Sequence, residues 1–224
     1  GGMSWESTAT YYREINEGIK AKLGGLHSAK ICLVSVDFEE IKKLQHIGDW
    51  DGTAVILSRA VMAIEKGGAD FLLICTNTMH KVAPQIEANI SIPILHIADA
   101  TAERLREDGI KKVGLLGTRF TMEQDFYKGR LTEKYGIDVI VPEESEREVV
   151  HSVIYNELCL GTIDEYSRER YLKIIDQLTA NGAEAVILGC TEIALLVQQN
   201  HTATPLYDTT AIHAEQAVLE ALSS

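Results

Sequence analysis

The sequence predicts an α/β protein made of two similar halves, each built on a parallel sheet covered by helices. Short apolar runs alternate with helical patterns along the whole chain. The runs are continuously apolar, as in strands buried on both faces, and strand–helix alternation is typical of parallel sheets. An internal repeat indicates that the two halves arose by duplication.

Seven apolar runs are the predicted strands, and longer amphipathic segments between them are the predicted helices. Three of the helical segments stop at a glycine, the residue that commonly follows a helix: Gly67, Gly109 and Gly182. The predicted strands are residues 30–36, 70–75, 92–96, 112–117, 137–141, 184–189 and 204–207. The clearest predicted helices are residues 53–66, 101–108, 121–135, 164–181 and 211–222.

The repeat has three landmarks in the same order, spaced by 112 to 116 residues. The stretch "EKGGADFLLICTNT" from residue 65 aligns without a gap with "ANGAEAVILGCTEI" from residue 180. Two further pairs match, "IPILHIADATAERL" with "TPLYDTTAIHAEQAV" and "GTRFTMEQDFYKGRL" with "GGMSWESTATYYREI". This order predicts two halves related by a pseudo-twofold axis.

The repeat also predicts the division of the chain. We expect the first half to span residues 1–98, with about 208–224 packing back on it, and the second to span 99–207. In the second half "KKVGLLG" precedes the Gly-Thr loop, but nothing comparable precedes Gly1-Gly2. A first strand equivalent to 112–116 is therefore expected to be missing from the first half.

Length, charge and cysteine content limit the class of protein. The chain has 224 residues, a net charge of −12 and four cysteines. Such negative charge disfavours binding to nucleic acids and to acidic membrane surfaces, although a local dipole can still hold an anionic small molecule. No apolar stretch reaches the roughly 20 residues that span a bilayer. We expect a cytoplasmic protein with reduced thiols, no membrane contact and no nucleic-acid partner.

Two cysteines stand where chemistry is expected. Cys75 and Cys190 each end an apolar strand-like run and are followed by threonine and a polar residue. Ligands of parallel α/β sheets bind beyond the carboxyl ends of the strands, and a following helix N-terminus attracts carboxylates and is expected to lower a thiol pKa. Two equivalent thiols can exchange a proton at opposite faces of one carbon, which inverts its configuration. Cys32 and Cys159 are interpreted as small buried apolar residues.

The sequence shows no cofactor or metal signature. The seven histidines lack metal-ligand spacing, and the cysteines are single rather than in pairs. The glycine-rich turns match neither a P-loop nor a complete dinucleotide fingerprint. No lysine stands out as a pyridoxal phosphate anchor, so we expect no cofactor.

The stretches "GGMSWESTATYY", "CTNTMH" and "GCTEI" resemble the aspartate/glutamate racemase family, whose members are cofactor-independent and carry paired cysteines. The resemblance covers the whole chain and is closest to the broad-specificity amino-acid racemase branch. It implies two flavodoxin-like domains with the active site between them, an amino-acid substrate and a homodimer. It also implies that Cys75 and Cys190 are the catalytic acid/base pair.

The resemblance assigns further residues to substrate binding. Gln45 matches a position that contacts the substrate side chain, where members specific for aspartate are expected to carry a basic residue. Cys159 stands where a lysine is expected in the second half, so strict aspartate specificity is in doubt. The implied substrate-binding residues are Met3, Ser4, Gln45, Thr76, Asn77, Thr78, Thr191 and Glu192.

Alternatives stay open at this point. The threonines and Asn77 can equally cap the following helices, and Glu192 can be an ordinary first-turn residue. His80 can assist Cys75 or be structural, and a structural role is expected for His213. Another enzyme of the superfamily, such as a hydantoin racemase or a maleate-type isomerase with one nucleophilic cysteine, fits the same motifs. A non-catalytic binding protein on the same scaffold fits less well, because it needs no thiol pair.

Overall fold

The structure is a computed structural model that describes residues 3–223. The chain divides into two compact units, Gly1–Ile97 with His213–Ser224, and Ala98–Ile212. Each unit has its own core. None of the helices within residues 3–223 is both long and apolar enough to cross a membrane.

The first unit is mainly helical. Ser4 begins the first helix, because its hydroxyl oxygen accepts a hydrogen bond from the Ser7 N–H at 3.1 Å. Leu57 and Val61 of the third helix pack on Leu72 in the main apolar core of this unit. The helices are α1 (Trp5–Leu23), α2 (Phe38–Ile47), α3 (Trp50–Lys66) and α4 (Ala83–Glu87), with a 3-10 helix at Thr78–Val82.

The second unit contains a four-stranded parallel sheet. Its strands are β1 (Lys112–Gly117), β2 (Asp138–Ile140), β3 (Ala185–Gly189) and β4 (Leu206–Asp208), in the spatial order β2-β1-β3-β4. The four strands predicted in this half, from 112–117 to 204–207, are confirmed. The α/β class with a parallel sheet is confirmed as well.

Helices surround this sheet and close its core. They are α5 (Ile97–Glu107), α6 (Arg119–Glu123), α7 (Asp125–Tyr135), α8 (Glu144–Asn156), α9 (Glu165–Ala180) and α10 (Ile193–Leu196), with 3-10 turns at Leu158–Leu160 and Gln199–His201. The last helix, α11 (Thr209–Ser223), belongs to the first unit from His213 onward. As predicted, glycines follow α5 and α9, and Gly109 and Gly182 have φ angles of 74° and 94°. These left-handed angles suit glycine, which has no Cβ to clash.

The core of the second unit is formed by the sheet together with α8 and α9. Val186 and Leu188 of β3 are buried with Tyr171 of α9. A Cβ at Gly189 would lie only 2.8 Å from the Leu116 carbonyl oxygen, so the absence of a side chain lets β3 approach β1.

The three strands predicted in the first half are only partly present. Residues 30–36 form no regular element, and 70–75 and 92–96 are joined by a single parallel bridge between Leu72 and Ile94. A parallel ladder needs neighbouring strands on which to form its hydrogen bonds. The prediction of a strand at 30–36 is wrong for this structure, because no described strand lies beside it. The predicted match of Gly1-Gly2 to Gly117-Thr118 lies outside the described residues.

Candidate active site

Cys190 follows β3 directly and contacts a carboxylate. Its Sγ donates a hydrogen bond to Glu192 Oε2 at 3.0 Å. The N–H of Ile193, the first residue of α10, donates to the Cys190 carbonyl oxygen at 3.1 Å. The thiol is half-buried, whereas Glu192 is buried. The end of β3 therefore presents a thiol whose proton is directed at a carboxylate oxygen.

The environment of Cys190 favours the neutral thiol. Burial raises the pKa of the Cys190 thiol well above its ordinary value, and the charge of Glu192 raises it further. The expectation that a helix N-terminus lowers this pKa is wrong, because burial and the charge of Glu192 outweigh any such effect. Cys190 is therefore protonated at neutral pH and suited to deliver a proton.

Other groups of the second unit make the surroundings of Cys190 unfavourable for anions. Cys159 and Tyr155 pack against the same core cluster as Cys190. The charge of a Cys159 thiolate would raise the pKa of Cys190 further. Burial, and then the charge of Cys190, raise the pKa of the Tyr155 phenol. An anionic ligand side chain would meet the negative charge of Glu192 here.

Cys75 lies in a different environment in the first unit. Its side chain is buried in a small apolar cluster with Tyr11 of α1 and Ala214 of α11. Its carbonyl oxygen accepts a hydrogen bond from the Ser7 hydroxyl at 2.7 Å. Burial raises the pKa of the Cys75 thiol, so it too is protonated at neutral pH. Here again the expectation of a lowered pKa is wrong, because burial dominates.

The backbone ladders allow the two halves to be compared by hydrogen bonds rather than by sequence. In the first unit, the Leu72 N–H donates to the Pro93 carbonyl at 2.9 Å. In the second unit, the Val186 N–H donates to the Pro205 carbonyl at 2.8 Å. Both prolines belong to the same landmark of the sequence repeat. Leu72 and Val186 therefore hold equivalent positions.

This register differs by one residue from the gapless sequence match. Thr76 lies four residues after Leu72. Cys190 likewise lies four residues after Val186. Thr76 and Cys190 are both half-buried, whereas Cys75 is buried. The ladder thus places Thr76 at the position equivalent to Cys190, and the catalytic role of Cys75 stays a prediction.

His80 holds the loop that contains Thr76. Its Nδ1–H donates to the Thr76 carbonyl oxygen at 2.8 Å, and its Nε2 accepts from the Ile97 N–H at 3.3 Å. One donor and one acceptor nitrogen define a neutral imidazole. Both ring nitrogens bind backbone, which favours the structural interpretation of His80 over assistance to Cys75.

His213 links α11 to the rest of the first unit. Its Nε2–H donates to the Leu95 carbonyl at 2.7 Å, so its Nδ1 accepts from the Tyr11 hydroxyl at 2.8 Å. Burial lowers the pKa of His213 to about 4. The expected structural role of His213 agrees with these contacts.

The remaining predicted residues of the first unit lie near the same loop or in the core. Gln45 of α2 is buried, and its Nε2–H donates to Met79 Sδ at 2.9 Å. Met3 is buried in the core, and Ser4 caps α1. Asn77 and Thr78 are buried beside Thr76, while Thr191 in the second unit is half-buried. The structure thus brings the Thr76–Thr78 loop close to α2 through Met79.

Sequence reasoning missed two contributors. Ser7 supports the Cys75 carbonyl, and Tyr11 directs His213. Both are on the N-terminal part of α1, Ser7 in its first turn and Tyr11 in its second, and neither stands out there from its neighbours in the sequence. Their partners lie 68 and 202 residues away, so no local pattern could reveal them. Among the described residues, no group of His, Cys, Asp or Glu side chains could hold a metal ion.

Comparisons with known proteins identify the family of the chain. The family described as Asp/Glu/hydantoin racemase matches residues 1–217. A protein of Yersinia pestis, described as a candidate Asp/Glu racemase, is 58% identical with a TM-score of 0.93, over 99% of this chain and 96% of that one. An aspartate racemase homologue from Pyrococcus horikoshii OT3 is 33% identical with a TM-score of 0.85, over 100% and 97%.

A curated relative agrees. The broad-specificity amino-acid racemase RacX of Bacillus subtilis strain 168 is 25% identical over 187 residues, which are 82% of this chain and 73% of RacX. Racemases are isomerases, and the racemase family model covers residues 1–217 of this chain. The chain therefore belongs to the Asp/Glu/hydantoin racemase family and is an isomerase.

Proposed function

We propose that this protein is a cofactor-independent amino-acid racemase that transfers a Cα proton between Cys75 and Cys190. The observation that carries the proposal is the hydrogen bond from Cys190 Sγ to Glu192 Oε2 at the end of β3. It places a protonated thiol with a defined orientation at the edge of the sheet where parallel α/β proteins bind ligands.

The raised pKa of Cys190 suits both directions of a racemisation. As a thiol, Cys190 gives its proton to a Cα carbanion and becomes a thiolate. As a thiolate, it takes the Cα proton, and the electron pair passes to the substrate carboxylate as an enediolate. A thiolate of higher pKa is a stronger base, which helps because the Cα–H of an amino acid is a very weak acid. Glu192 orients the thiol in its protonated form.

Hydroxyl and amide donors near the two strand ends fit the developing enediolate. Thr76, Asn77 and Thr78 follow the first strand end, and Thr191 follows Cys190. Preorganised donors stabilise charge that appears only in the transition state. We assign the substrate carboxylate to these residues.

Thr76 is a second candidate for the catalytic group of the first unit. The ladder register gives it the place of Cys190, and the Cys75 thiol lies in an apolar cluster with Tyr11. A threonine hydroxyl is a far weaker proton carrier than a thiol at neutral pH. If Thr76 faces the substrate, proton transfer on that face is slower than on the Cys190 face.

Substrates with neutral polar or small side chains fit better than strictly acidic ones. Gln45 offers a neutral amide where a base would be expected for aspartate. Burial and then the charge of Glu192 raise the pKa of Cys190, and the same carboxylate disfavours an acidic substrate side chain. Other chemistries of the superfamily, such as hydantoin racemisation or maleate isomerisation, are second candidates, and ligand binding without turnover is a third.

The test is deuterium exchange at Cα, followed by proton NMR in D2O on a panel of L-amino acids that includes Asp, Glu and neutral polar members. We expect loss of the Cα–H signal and appearance of the D-isomer for at least one of them. No exchange with any member, together with turnover of a hydantoin or of maleate, would contradict the proposal.

Three variants separate the candidate catalytic groups. Cys190→Ser is expected to lower exchange by about 10²-fold or more, the usual cost of losing a general acid/base. Cys75→Ser and Thr76→Val together show whether Cys75 or Thr76 is the catalytic group of the first unit. Loss in Cys75→Ser with retention in Thr76→Val supports the two-cysteine mechanism, and the reverse result assigns that face to Thr76.

A further inference from the structure

Three histidine rings meet in the interior of the first unit, next to the loop Thr76–Thr78. The ring centroids of His80 and His96 are 4.4 Å apart, and those of His80 and His213 are 6.0 Å apart. Each of the three side chains is at most 5% exposed. Histidine has the side chain whose ordinary pKa lies closest to neutral pH. A proton added to this histidine cluster, His80, His96 and His213, therefore acts inside the core.

The histidine cluster joins four segments of the first unit. His80 lies in the 3-10 helix of this unit, and His96 ends the predicted strand 92–96. His213 lies in α11 and accepts a hydrogen bond from the Tyr11 hydroxyl of α1 at 2.8 Å. The packing of these segments against one another therefore depends on the protonation of the rings.

His80 is the member whose two hydrogen bonds are incompatible with a second proton. Its Nδ1–H donates to the Thr76 carbonyl oxygen at 2.8 Å, and its Nε2 accepts from the Ile97 N–H at 3.3 Å. A protonated imidazole carries an N–H on both nitrogens and accepts no hydrogen bond. Protonation at Nε2 would set two N–H groups against each other, and a backbone N–H cannot become an acceptor. The contact with Ile97 therefore breaks when His80 gains its charge.

The contacts of His213 are more tolerant. Its Nδ1 accepts from the Tyr11 hydroxyl, which can turn and become the acceptor for a protonated ring. Burial lowers the pKa of His213 to about 4, so this ring stays neutral at the mildly acidic pH where a histidine in water gains its proton. The contact between α1 and α11 is therefore retained at a pH at which an exposed His80 would be protonated.

Charged and titratable groups on the surrounding segments do not favour a charge on the closed cluster. Lys81 carries the same sign as a protonated His80, and its ammonium lies 3.9 Å from the centroid of the Trp50 ring. The Asp99 carboxylate accepts from two basic side chains of α7, and Glu215 is exposed. The Tyr11 hydroxyl donates to His213, and the buried Cys75 thiol is protonated. The groups considered are Tyr11 of α1, Cys75, Lys81, Asp99 of α5 and Glu215 of α11. A buried charge on His80 is therefore costly.

We propose that His80 is an acid-sensitive latch, which holds the loop Thr76–Thr78 closed while its ring is neutral and releases the loop when the ring is protonated. Asn77 and Thr78 are buried in the closed loop. Opening breaks both hydrogen bonds of the ring and brings the ring into water. This device goes beyond the proposed function, because it concerns the conformation of the loop rather than a reaction.

The coupling of opening to protonation gives the direction and the size of the effect. A histidine in water has a pKa of about 6.5, whereas the closed loop excludes the second proton. The open loop binds more protons, so opening is favoured as pH falls. For one histidine, the equilibrium constant for opening should rise by about tenfold between pH 7.5 and pH 5.5.

Amide hydrogen exchange tests the latch at these two pH values, in buffer and in about 1 M urea. Exchange rates are divided by the intrinsic rate at each pH, which gives the opening equilibrium of each segment. For residues 77–80 we expect opening to increase by about tenfold at the lower pH and to be insensitive to urea. Residues 57–64 of α3 report unfolding of the core and should be sensitive to urea.

Two variants give the matched comparison. The side chain introduced by His80→Gln keeps a donor and an acceptor but does not titrate, so the rise at pH 5.5 should be absent. His46→Gln changes an exposed histidine of the same unit and should keep the full rise.

Unchanged opening of residues 77–80 between the two pH values in the unmodified chain would overturn the latch. An equal rise in His80→Gln would do the same, as would a rise that increases with urea as steeply as that of residues 57–64. If His80→Gln does not fold, the measurements on the unmodified chain still decide. Because backbone exchange is measured, the result does not depend on whether the protein racemises amino acids.

Discussion

The thiol of Cys190 shows how one neighbour decides the chemistry of a residue. Burial and the charge of Glu192 both raise the pKa of the thiol. The hydrogen bond from Cys190 Sγ to Glu192 directs the thiol proton at the carboxylate oxygen Oε2. A sequence that reads Cys-Thr-Glu permits a thiolate at a helix terminus as readily as a protonated thiol. Burial and the contact with Glu192 favour the protonated form.

Removing the carboxylate should therefore lower the pKa of Cys190. In Glu192→Gln the repulsion between thiolate and carboxylate is gone, but burial remains, so the pKa falls while staying above its ordinary value. The pH dependence of Cys190 alkylation by iodoacetamide, followed by peptide mass spectrometry, should shift to lower pH. Glu169→Gln, an exposed surface change, is the control. An unchanged profile in Glu192→Gln would refute the electrostatic coupling.

At the scale of elements, buried polar contacts hold helices to strand ends. His213 joins α11 to α1 through Tyr11 and to the predicted strand 92–96 through Leu95. Ser7 joins α1 to the Cys75 carbonyl. A buried polar group is stabilising only when its partner is present, since an unsatisfied one costs about 1–3 kcal/mol. These contacts therefore specify how α1 and α11 pack in the first unit.

The buried neutral state of His213 makes the stability of the fold depend on pH. Its pKa falls from 6.5 to about 4 in the folded protein, so the unfolded chain binds the proton more tightly. The stabilisation is complete above pH 6.5 and is lost as pH falls toward 4, a difference of about 3 kcal/mol. Urea unfolding between pH 7 and pH 4 measures it.

The comparison uses His213→Gln against His27→Gln, which changes an exposed histidine. The loss of unfolding free energy between pH 7 and pH 4 should be smaller by about 3 kcal/mol in His213→Gln. His27→Gln should keep the full pH dependence of the unmodified chain. If the unfolding free energy fell equally between pH 7 and pH 4 in both variants, His213 would not titrate as its burial implies.

At the scale of the whole molecule, the chain belongs to the Asp/Glu/hydantoin racemase family and divides into two compact units. The resemblance to racemases implies a homodimer, and α1 exposes large apolar side chains that a partner could cover: Trp5, Tyr12 and Leu23. We expect light scattering coupled to size exclusion to give a mass near twice the 24.7 kDa of the chain. A constant mass of one chain across a dilution series would contradict the dimer.

Much of the fold was predictable because it depends on local patterns. The four strands of the second unit and the helix ends at Gly109 and Gly182 follow from apolar runs and glycine conformation. The strand at 30–36 could not be judged from its own residues. Its apolar pattern is that of a strand, but a ladder exists only where a neighbour provides the other half of each hydrogen bond.

The two polar loops were predictable in position, but the register between the two halves was not. The sequence located both strand ends and their polar loops, because Cys-Thr after an apolar run is a local signal. The sequence comparison aligned Cys75 with Cys190 because the two residues are identical. The backbone hydrogen bonds instead make Thr76 the residue whose position is equivalent to that of Cys190. Side chains alternate along a strand, so a shift of one residue exchanges the buried and the outward position.

By itself, the sequence determined the α/β class, the repeat, the family and the two loops, since all of these depend on the periodicity of residue types. Tertiary structure alone decided the protonation of Cys190, the partners of Ser7, Tyr11 and His213, and the strand register at Thr76. Burial, charge proximity and ladder pairing depend on residues distant in the chain. These properties are therefore decided only when folding brings the distant residues together.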